Sequence, residues 1–298
     1  MRGFRKESEK GIAMIALYIT LGVLCALLLL YLFLLTTRRR RPATEKFMRV
    51  PYAHRGLHGG NIPENSLAAF SAACDGGFGI ELDVQLSSDG EVMVFHDESL
   101  LRMTGCDASL YGKSLSELKS LRLQGSEERI PTLTEVLSLV NGRVPILVEI
   151  KSDHAVMEVC RKTAALLDGY TGAYMVESFH PLAVNWFRKN RESVVRGQLS
   201  ARLFVKGKRT LSMLLVQNLL LNFLARPDFV AYDYRARRAL SFSLCRLLYR
   251  PYTVAWTVTD AAGLHASRKF DGVIFEKLTR EELARACRPI KSSEDISL

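Results

Sequence analysis

From residue 51 onward, short apolar runs alternate with amphipathic stretches over roughly 250 residues, and few architectures accept that order. The runs Val50–His54, Gly79–Leu86, Glu91–His96, Pro145–Lys151, Ala173–Phe179, Ser193–Leu199, Asp228–Tyr232, Tyr252–Val258 and Gly272–Phe275 have the length and apolar content of strands. Between them, Ser66–Cys74, Leu133–Val140, Ala155–Leu167, Pro181–Lys189 and Glu281–Cys287 repeat apolar residues every three or four positions, as a helix packed on one face does. Strands separated by helices pair in parallel, so the expectation is an α/β parallel sheet, closed as a barrel or left open. Nine candidate strands exceed the eight of a (β/α)8 barrel by one. The polar tail Lys291–Leu298 is expected to fray.

The first fifty residues have a different character. Ile12 to Leu35 are 24 residues without a charge. As a helix that is about 36 Å, enough to cross a hydrocarbon core of ~30 Å. A cleaved signal peptide has a shorter apolar region ending at a small-x-small site, whereas this run stops at Thr36-Thr37 and Arg38–Arg41. The division expected is a single-pass membrane anchor over 1–46 and one barrel over 47–298. Charge follows that division. Residues 1–50 hold ten Lys/Arg and three Glu, and the other 248 hold 31 Lys/Arg and 28 Asp/Glu, so most of the net +10 flanks the apolar run. There it can meet anionic headgroups, and a nucleic-acid role loses its support. No feature points to a protein partner. Both flanks are basic; the Lys and Arg count leans towards a cytoplasmic barrel, as do Cys74, Cys106, Cys160, Cys245 and Cys287, an odd set without metal or disulfide spacing.

One helical stretch stands apart. Thr210–Ala225, "TLSMLLVQNLLLNFLA", is apolar nearly all round and follows Lys206, Lys208 and Arg209. It reads either as a buried barrel helix or as a helix lying among headgroups.

Ionisable residues mark several strand ends. Glu81 and Asp83 in "GIELDVQL" are two apart and share a strand face. On an exposed face such a pair costs little; lining a barrel, both ionised, they need a cation, and oxygen ligands suit Mg²⁺ or Ca²⁺. In "PILVEIKSD", Glu149 and Lys151 repeat the pattern, as a salt-bridged strand end or as a third carboxylate with a cation for an anion. His54 and His96, each at the end of an apolar run, could be satisfied turn residues. Taken together, His54, Glu81, Asp83, His96, Glu149 and Lys151 all lie at or near C-terminal strand ends, the face on which barrels of this kind carry their chemistry. Two histidines to move protons, three carboxylates for a cation, and Arg55 and Lys151 for an anion, with no protein nucleophile, suit cleavage of a phosphodiester.

The blocks "HRG", "PENS", "ELDVQLSSDGEVMVFHDESLLRMTG" and "VEIK" resemble, in order, the signature blocks of the glycerophosphodiester phosphodiesterase family, over about residues 50 to 280. The resemblance implies a (β/α)8 TIM barrel. It implies Glu81, Asp83 and Glu149 as ligands of one divalent cation, Mg²⁺ or Ca²⁺, and His54 and His96 as general acid and base. Arg55 and Lys151 would hold the phosphate. A glycerol hydroxyl of the substrate would attack phosphorus, and water would open the cyclic intermediate. Glu64 and Asn65 would brace the His54–Arg55 turn from behind, with Ser66 capping the next helix. Trp256 matches a family tryptophan that packs against glycerol, or is a core residue. The late block departs from the family's Asp-Gly-Ile-x-Thr-Asp, reading Asp271-Gly272-Val273-Ile274-Phe275-Glu276, so Phe275 is expected at the pocket mouth in place of a small polar residue. Three readings follow: a metal-dependent glycerophosphodiesterase releasing glycerol 3-phosphate, a lysophospholipase D-like enzyme taking lysophospholipids from membrane lipids, and a non-catalytic glycerophosphate-binding module.

Overall fold

In a computed structural model of the chain, residues 2–151, 154–203 and 210–286 are described. Lys206, Lys208, Arg209, Cys287 and the tail from Lys291 lie outside the described residues. The strands, in chain order, are β1 (Tyr52–Ala53), β2 (Gly79–Leu86), β3 (Val92–Val94), β4 (Ile146–Ile150), β5 (Tyr174–Ser178), β6 (Val195–Ser200), β7 (Phe229–Asp233), β8 (Tyr252–Val258) and β9 (Gly272–Phe275). All but β3 pair in parallel with their neighbours, and β1 joins both β2 and β9, which closes an eight-stranded (β/α)8 barrel. The ninth expected strand is β3, which turns back antiparallel on β2, pairing Val84 with Val94 and Leu86 with Val92.

Alternation along each barrel strand sorts side chains between two cores. Facing outward to the helices are Ile80, Leu82, Val84, Val148, Val176 and Phe275, packed with Phe70, Val136 and Leu167. Facing inward are Tyr52, Leu147, Met175, Val195, Phe229, Tyr252 and Ile274, which fill the barrel. Gly197 makes room among them, since a Cβ there would lie 2.2 Å from the Phe229 ring. One or two steps further on, the same inward series reaches His54, Glu81 and Asp83, Glu149 and Lys151, Glu177, and Glu276. The barrel is therefore apolar at its floor and ionisable at its mouth.

Parity also corrects one expectation. Phe275 sits between inward Ile274 and Glu276, so it points outward; it is 1% exposed and meets Phe78 edge-on at 5.0 Å. It is a core residue, not part of the pocket mouth.

The floor is closed by a short helix, α2 (Pro42–Met48), whose Phe47 and Met48 pack into the inward cluster. Ahead of it runs α1 (Arg2–Leu34), in which Gly11–Leu34 has a mean hydropathy of 2.7 and is long and apolar enough to cross a membrane. Its end is docked rather than loose. Leu35 is fully buried among Leu219, Val230, Tyr232, Phe242 and Cys245, and the Tyr249 hydroxyl donates to the Leu32 carbonyl at 2.6 Å. The arginine run expected among headgroups binds the barrel instead. Arg38 meets Glu192 at 2.7 Å, Arg40 makes a two-pronged contact with Asp271 at 2.8 Å, and Arg41 reaches Asp228 at 2.8 Å. Residues 35–46, placed by sequence with the anchor, thus contact the floor of the barrel.

Thr210–Ala225 is not one helix. It forms Leu211–Gln217 and Asn222–Ala225, interrupted at Leu219, whose backbone is left-handed (φ 58°) and whose side chain is buried beside Leu35. Val216 and Ala225 are buried while Leu211 is 73% exposed, so the stretch is partly core and partly surface. The described cysteines are all free.

The carboxylate of Asp228 is buried, with Arg41 at 2.8 Å and the more distant Arg196 and Arg38 at 3.7 and 3.9 Å. Breaking a buried ion pair costs about 3–5 kcal/mol, and the two remaining guanidiniums reduce that here. Arg41→Ala should therefore cost about 2 kcal/mol and lower the melting temperature of the full chain by roughly 4–8 °C. Thermal unfolding of the detergent-solubilised protein measures it, and an unchanged midpoint would show that the clamp contributes nothing.

Candidate active site

The site forms where several strand ends converge at the barrel mouth. Glu81 and Asp83 come from β2, Glu149 from β4 in register with Asp83, and Glu177 from β5 in register with Glu149. All four are buried. Glu81, Asp83 and Glu149 each offer an oxygen within 4.8 Å of the others. Lys151, just past β4, reaches Asp83 Oδ1 at 2.9 Å and Glu149 Oε1 at 2.8 Å, and Arg55 Nε lies 3.5 Å from Asp83 Oδ2. Four carboxylates against these two cations leave two negative charges uncompensated.

That imbalance appears in the proton affinities. Burial, then Asp83 and Glu149, holds Glu81 well above the usual carboxylate range. Burial pushes Glu149 up to about 7, against the pull of Lys151. Glu177 is likewise raised well above its ordinary value, by burial and then by Glu81 and Glu149. Asp83 goes the other way: burial would raise it, but Lys151, His96 and Arg55 prevail and keep it ionised. Lys151 is raised because Asp83 and Glu149 outweigh the cost of its burial. Among the described residues, Glu177 Oε2 and Asn65 Oδ1 are buried acceptors without a hydrogen-bond donor. An all-oxygen donor set, two surplus charges and unfilled acceptors fit a hard divalent cation such as Mg²⁺ or Ca²⁺.

The His-Arg-Gly turn is held from several sides. The His54 amide donates to Phe275 O at 2.9 Å, and the Arg55 amide to Glu81 Oε2 at 2.9 Å. Arg55 is left-handed at φ 56°. Gly56, at φ 81°, packs so closely on the helix Leu67–Asp75 that a Cβ would lie 2.8 Å from Ala69 Cβ. Its role in this structure is that helix contact. Glu64 accepts from Arg55 Nη1 at 2.7 Å and from Arg102 Nη2 at 2.6 Å, while Asn65 Nδ2 donates to Asp83 Oδ2 at 2.9 Å. Ser66 caps the helix, its Oγ accepting from the Ala69 amide.

His96 arrives by a different route from the one its sequence position suggested. It follows β3, which descends along β2 until the Phe95 amide donates to Asp83 O. Gln85 Nε2 fixes the turn by donating to the carbonyls of Phe95, His96 and Asp97 at 2.9–3.1 Å. Asp97 Oδ1 lies 2.6 Å from His96 Nδ1, and Arg102 Nε donates to Asp97 Oδ2 at 2.5 Å. Arg102 and His96 help hold Asp97 ionised, so His96 Nδ1 is the donor and Nε2 is left to accept. Burial lowers the pKa of His96 itself. A cavity of about 400 Å³ opens here, lined by His96, Asp97, Glu98, Glu149, Ile150, Lys151 and Phe179. Trp256 stands edge-on to Phe179 at 5.5 Å, half-buried.

Sequence reasoning missed Glu177, Glu276 and His58. Glu276 Oε2 lies 3.3 Å from His54 Nδ1, and that contact draws its pKa down to about 2. His58 is half-buried, with burial lowering its pKa and no hydrogen-bond partner for Nε2 among the described residues. Glu177 in "YMVES" ends its strand as Glu149 ends "ILVEI", a signal that was available.

The model of the glycerophosphoryl diester phosphodiesterase family matches residues 54–221. The chain belongs to that family. It is 43% identical over 108 residues to a glycerophosphodiester phosphodiesterase of Caldanaerobacter subterraneus subsp. tengcongensis, covering 34% of this chain and 44% of the relative. It is 28% identical over 197 residues to the human lysophospholipase D GDPD1, covering 61% of this chain and 60% of that protein. The chain thus spans about half the length of these curated relatives. Among solved structures, the glycerophosphodiester phosphodiesterase of Thermotoga maritima superposes with a TM-score of 0.58 at 26% identity, covering 76% of this chain and 93% of that one.

The raised carboxylates give a signed pH dependence. Glu149 holds its proton up to about 7 when folded and to an ordinary 4.5 when not, so its contribution is fully present below 4.5 and lost as pH rises to about 7. Without divalent cations, stability should fall across that window by up to about 3 kcal/mol from this group. Mg²⁺ or Ca²⁺ should flatten the fall, since binding favours the ionised cluster. Melting temperatures from pH 4.5 to 7.5 in chelator and in each cation test this; parallel curves would exclude a cation at these carboxylates.

Proposed function

We propose that the chain is a divalent-cation-dependent phosphodiesterase that cleaves glycerophosphodiesters to glycerol 3-phosphate and an alcohol, held at a membrane by α1. The observation that supports it best is the meeting of Glu81, Asp83 and Glu149 with Lys151 and Arg55 beside two carboxylate-paired histidines. Glu81, Asp83 and Glu149 would hold the cation, which when bound supplies positive charge to the phosphoryl oxygens. Arg55 and Lys151 bind those oxygens and stabilise the negative charge that builds on them. His96, neutral with a free Nε2, accepts the proton of the attacking glycerol hydroxyl as its oxygen bonds to phosphorus. His54 donates a proton to the departing alcohol oxygen as the other P–O bond breaks. Water then opens the cyclic phosphate with the two roles reversed. Glu276 and Asp97 orient the two rings, and Phe179 with Trp256 offers an apolar wall for the carbon skeleton.

A lysophospholipase D-like reading keeps the same chemistry. The likeness to the human relative supports it, as do Leu211, Leu240 and Leu247 on the outer wall, 67–73% exposed. The deciding assay uses the full chain in detergent micelles with glycerophosphocholine, glycerophosphoglycerol and a lysophospholipid, each with Mg²⁺, Ca²⁺ or chelator. Cation-dependent release of glycerol 3-phosphate is expected, with His54→Ala and His96→Ala each lowering the rate by about 10²–10⁴-fold. Release of lysophosphatidic acid alone would move the enzyme to the lipid substrate. No turnover by a folded, cation-binding chain would favour the binding module.

A further inference from the structure

Beside the carboxylate cluster lies a second group of ligand atoms with different chemistry. One atom each from His54, His58 and Glu276 lies within 4.8 Å of the others. We propose that these three residues form a separate site for a borderline-soft divalent metal, Zn²⁺ in class, and that occupancy switches the enzyme off by removing His54 from acid–base exchange.

The donor set separates the two sites. Glu81, Asp83 and Glu149 offer oxygen only, which suits Mg²⁺ or Ca²⁺; two imidazoles and one carboxylate suit zinc, with a fourth position left for water. The spacing fits as well. With zinc–ligand bonds of about 2.0–2.1 Å, two ligands on a tetrahedron stand about 3.3 Å apart. His54 Nδ1 and Glu276 Oε2 are 3.3 Å apart, long for a charged hydrogen bond and close to that edge. His58 Nε2 is buried and has no other partner among the described residues. The loop delivers it there: Arg55 and Gly56 are both left-handed, and the His58 amide donates to Gly56 O at 2.9 Å, curling the chain so that residues 54 and 58 face one carboxylate. Rotation about the side-chain bonds of His58 would bring its ring nitrogen the rest of the way to a shared metal.

The consequence for catalysis rests on the role proposed above for His54. A metal on Nδ1 displaces the proton shared with Glu276 and fixes the remaining proton on Nε2, so the ring has no lone pair with which to accept another. The same divalent charge that activates at the oxygen site would inhibit at the nitrogen site.

Two readouts on the full chain in detergent micelles, with Mg²⁺ saturating the oxygen site, separate the site from its effect. Co²⁺ serves as a zinc probe, because tetrahedral nitrogen and oxygen ligation gives strong visible absorption and octahedral oxygen ligation gives weak absorption. One Co²⁺ equivalent with strong absorption is expected, displaced by Zn²⁺ and lost in both His58→Gln and Glu276→Gln. In the phosphodiesterase assay, Zn²⁺ should inhibit the wild type, and His58→Gln should raise the half-inhibitory concentration at least tenfold. Absence of the strong bands in the wild type would overturn the site. Equal Zn²⁺ sensitivity of wild type and His58→Gln, the variant confirmed folded by circular dichroism, would overturn the inhibition. Strong bands in a chain without turnover would keep the site and reject the catalytic reading instead.

Discussion

Four carboxylates facing one another at the mouth of a barrel are the constraint to which the rest of that end answers. Among the described residues, the inward cluster below Glu81, Asp83, Glu149 and Glu177 carries no positive charge to compensate them. Compensation comes from the strand ends: Lys151 sits between two of the four, Arg55 lies beside Asp83, and the Arg55 and Asn65 hydrogen bonds occupy further oxygens. Such an arrangement is costly to bury without a counter-charge, and its members are charged and hydrogen-bonded in a way an apolar core would not need. A hard cation among these carboxylates, with an anion beside it, would balance that charge.

A second layer of charge keeps the first in place. Glu64 is shared by Arg55 and Arg102, and Arg102 also holds Asp97, which in turn orients His96. One arginine on the helix Leu101–Thr104 thereby connects the turn carrying Arg55 to the turn carrying His96, two segments about forty residues apart in sequence. On the far side Glu276 does the same for His54 from the end of β9. The two histidines are set by different strands, which leaves one ring free to respond to its surroundings without disturbing the other.

Much of this was legible because β-strands count in twos. The runs "GIELD" and "PILVEIK" each pass from apolar to ionisable along one parity, which is how Glu81, Asp83, Glu149 and Lys151 could be placed together from the sequence. Judging Phe275 by its closeness to the motif, rather than by its parity, put it on the wrong side of β9. His96 was located correctly at a strand end but not on a barrel strand, since a three-residue hairpin partner and a barrel strand look alike in sequence. The arginine run was the least legible feature. Its partners Asp228 and Asp271 lie some 190 to 230 residues away, and nothing local distinguishes an arginine awaiting a headgroup from one awaiting a barrel.

That docking has a mechanical meaning. A domain joined to a span by loose chain can tumble and sample every orientation over the bilayer. Here the last turn of α1, the arginines and α2 form one continuous packed path from that apolar helix into the floor of the barrel. If α1 crosses a membrane, it behaves as a stalk, and the tilt of the stalk sets the tilt of the barrel. Reach and heading would be fixed by the fold, with the mouth at the opposite end of the strands from the point of attachment.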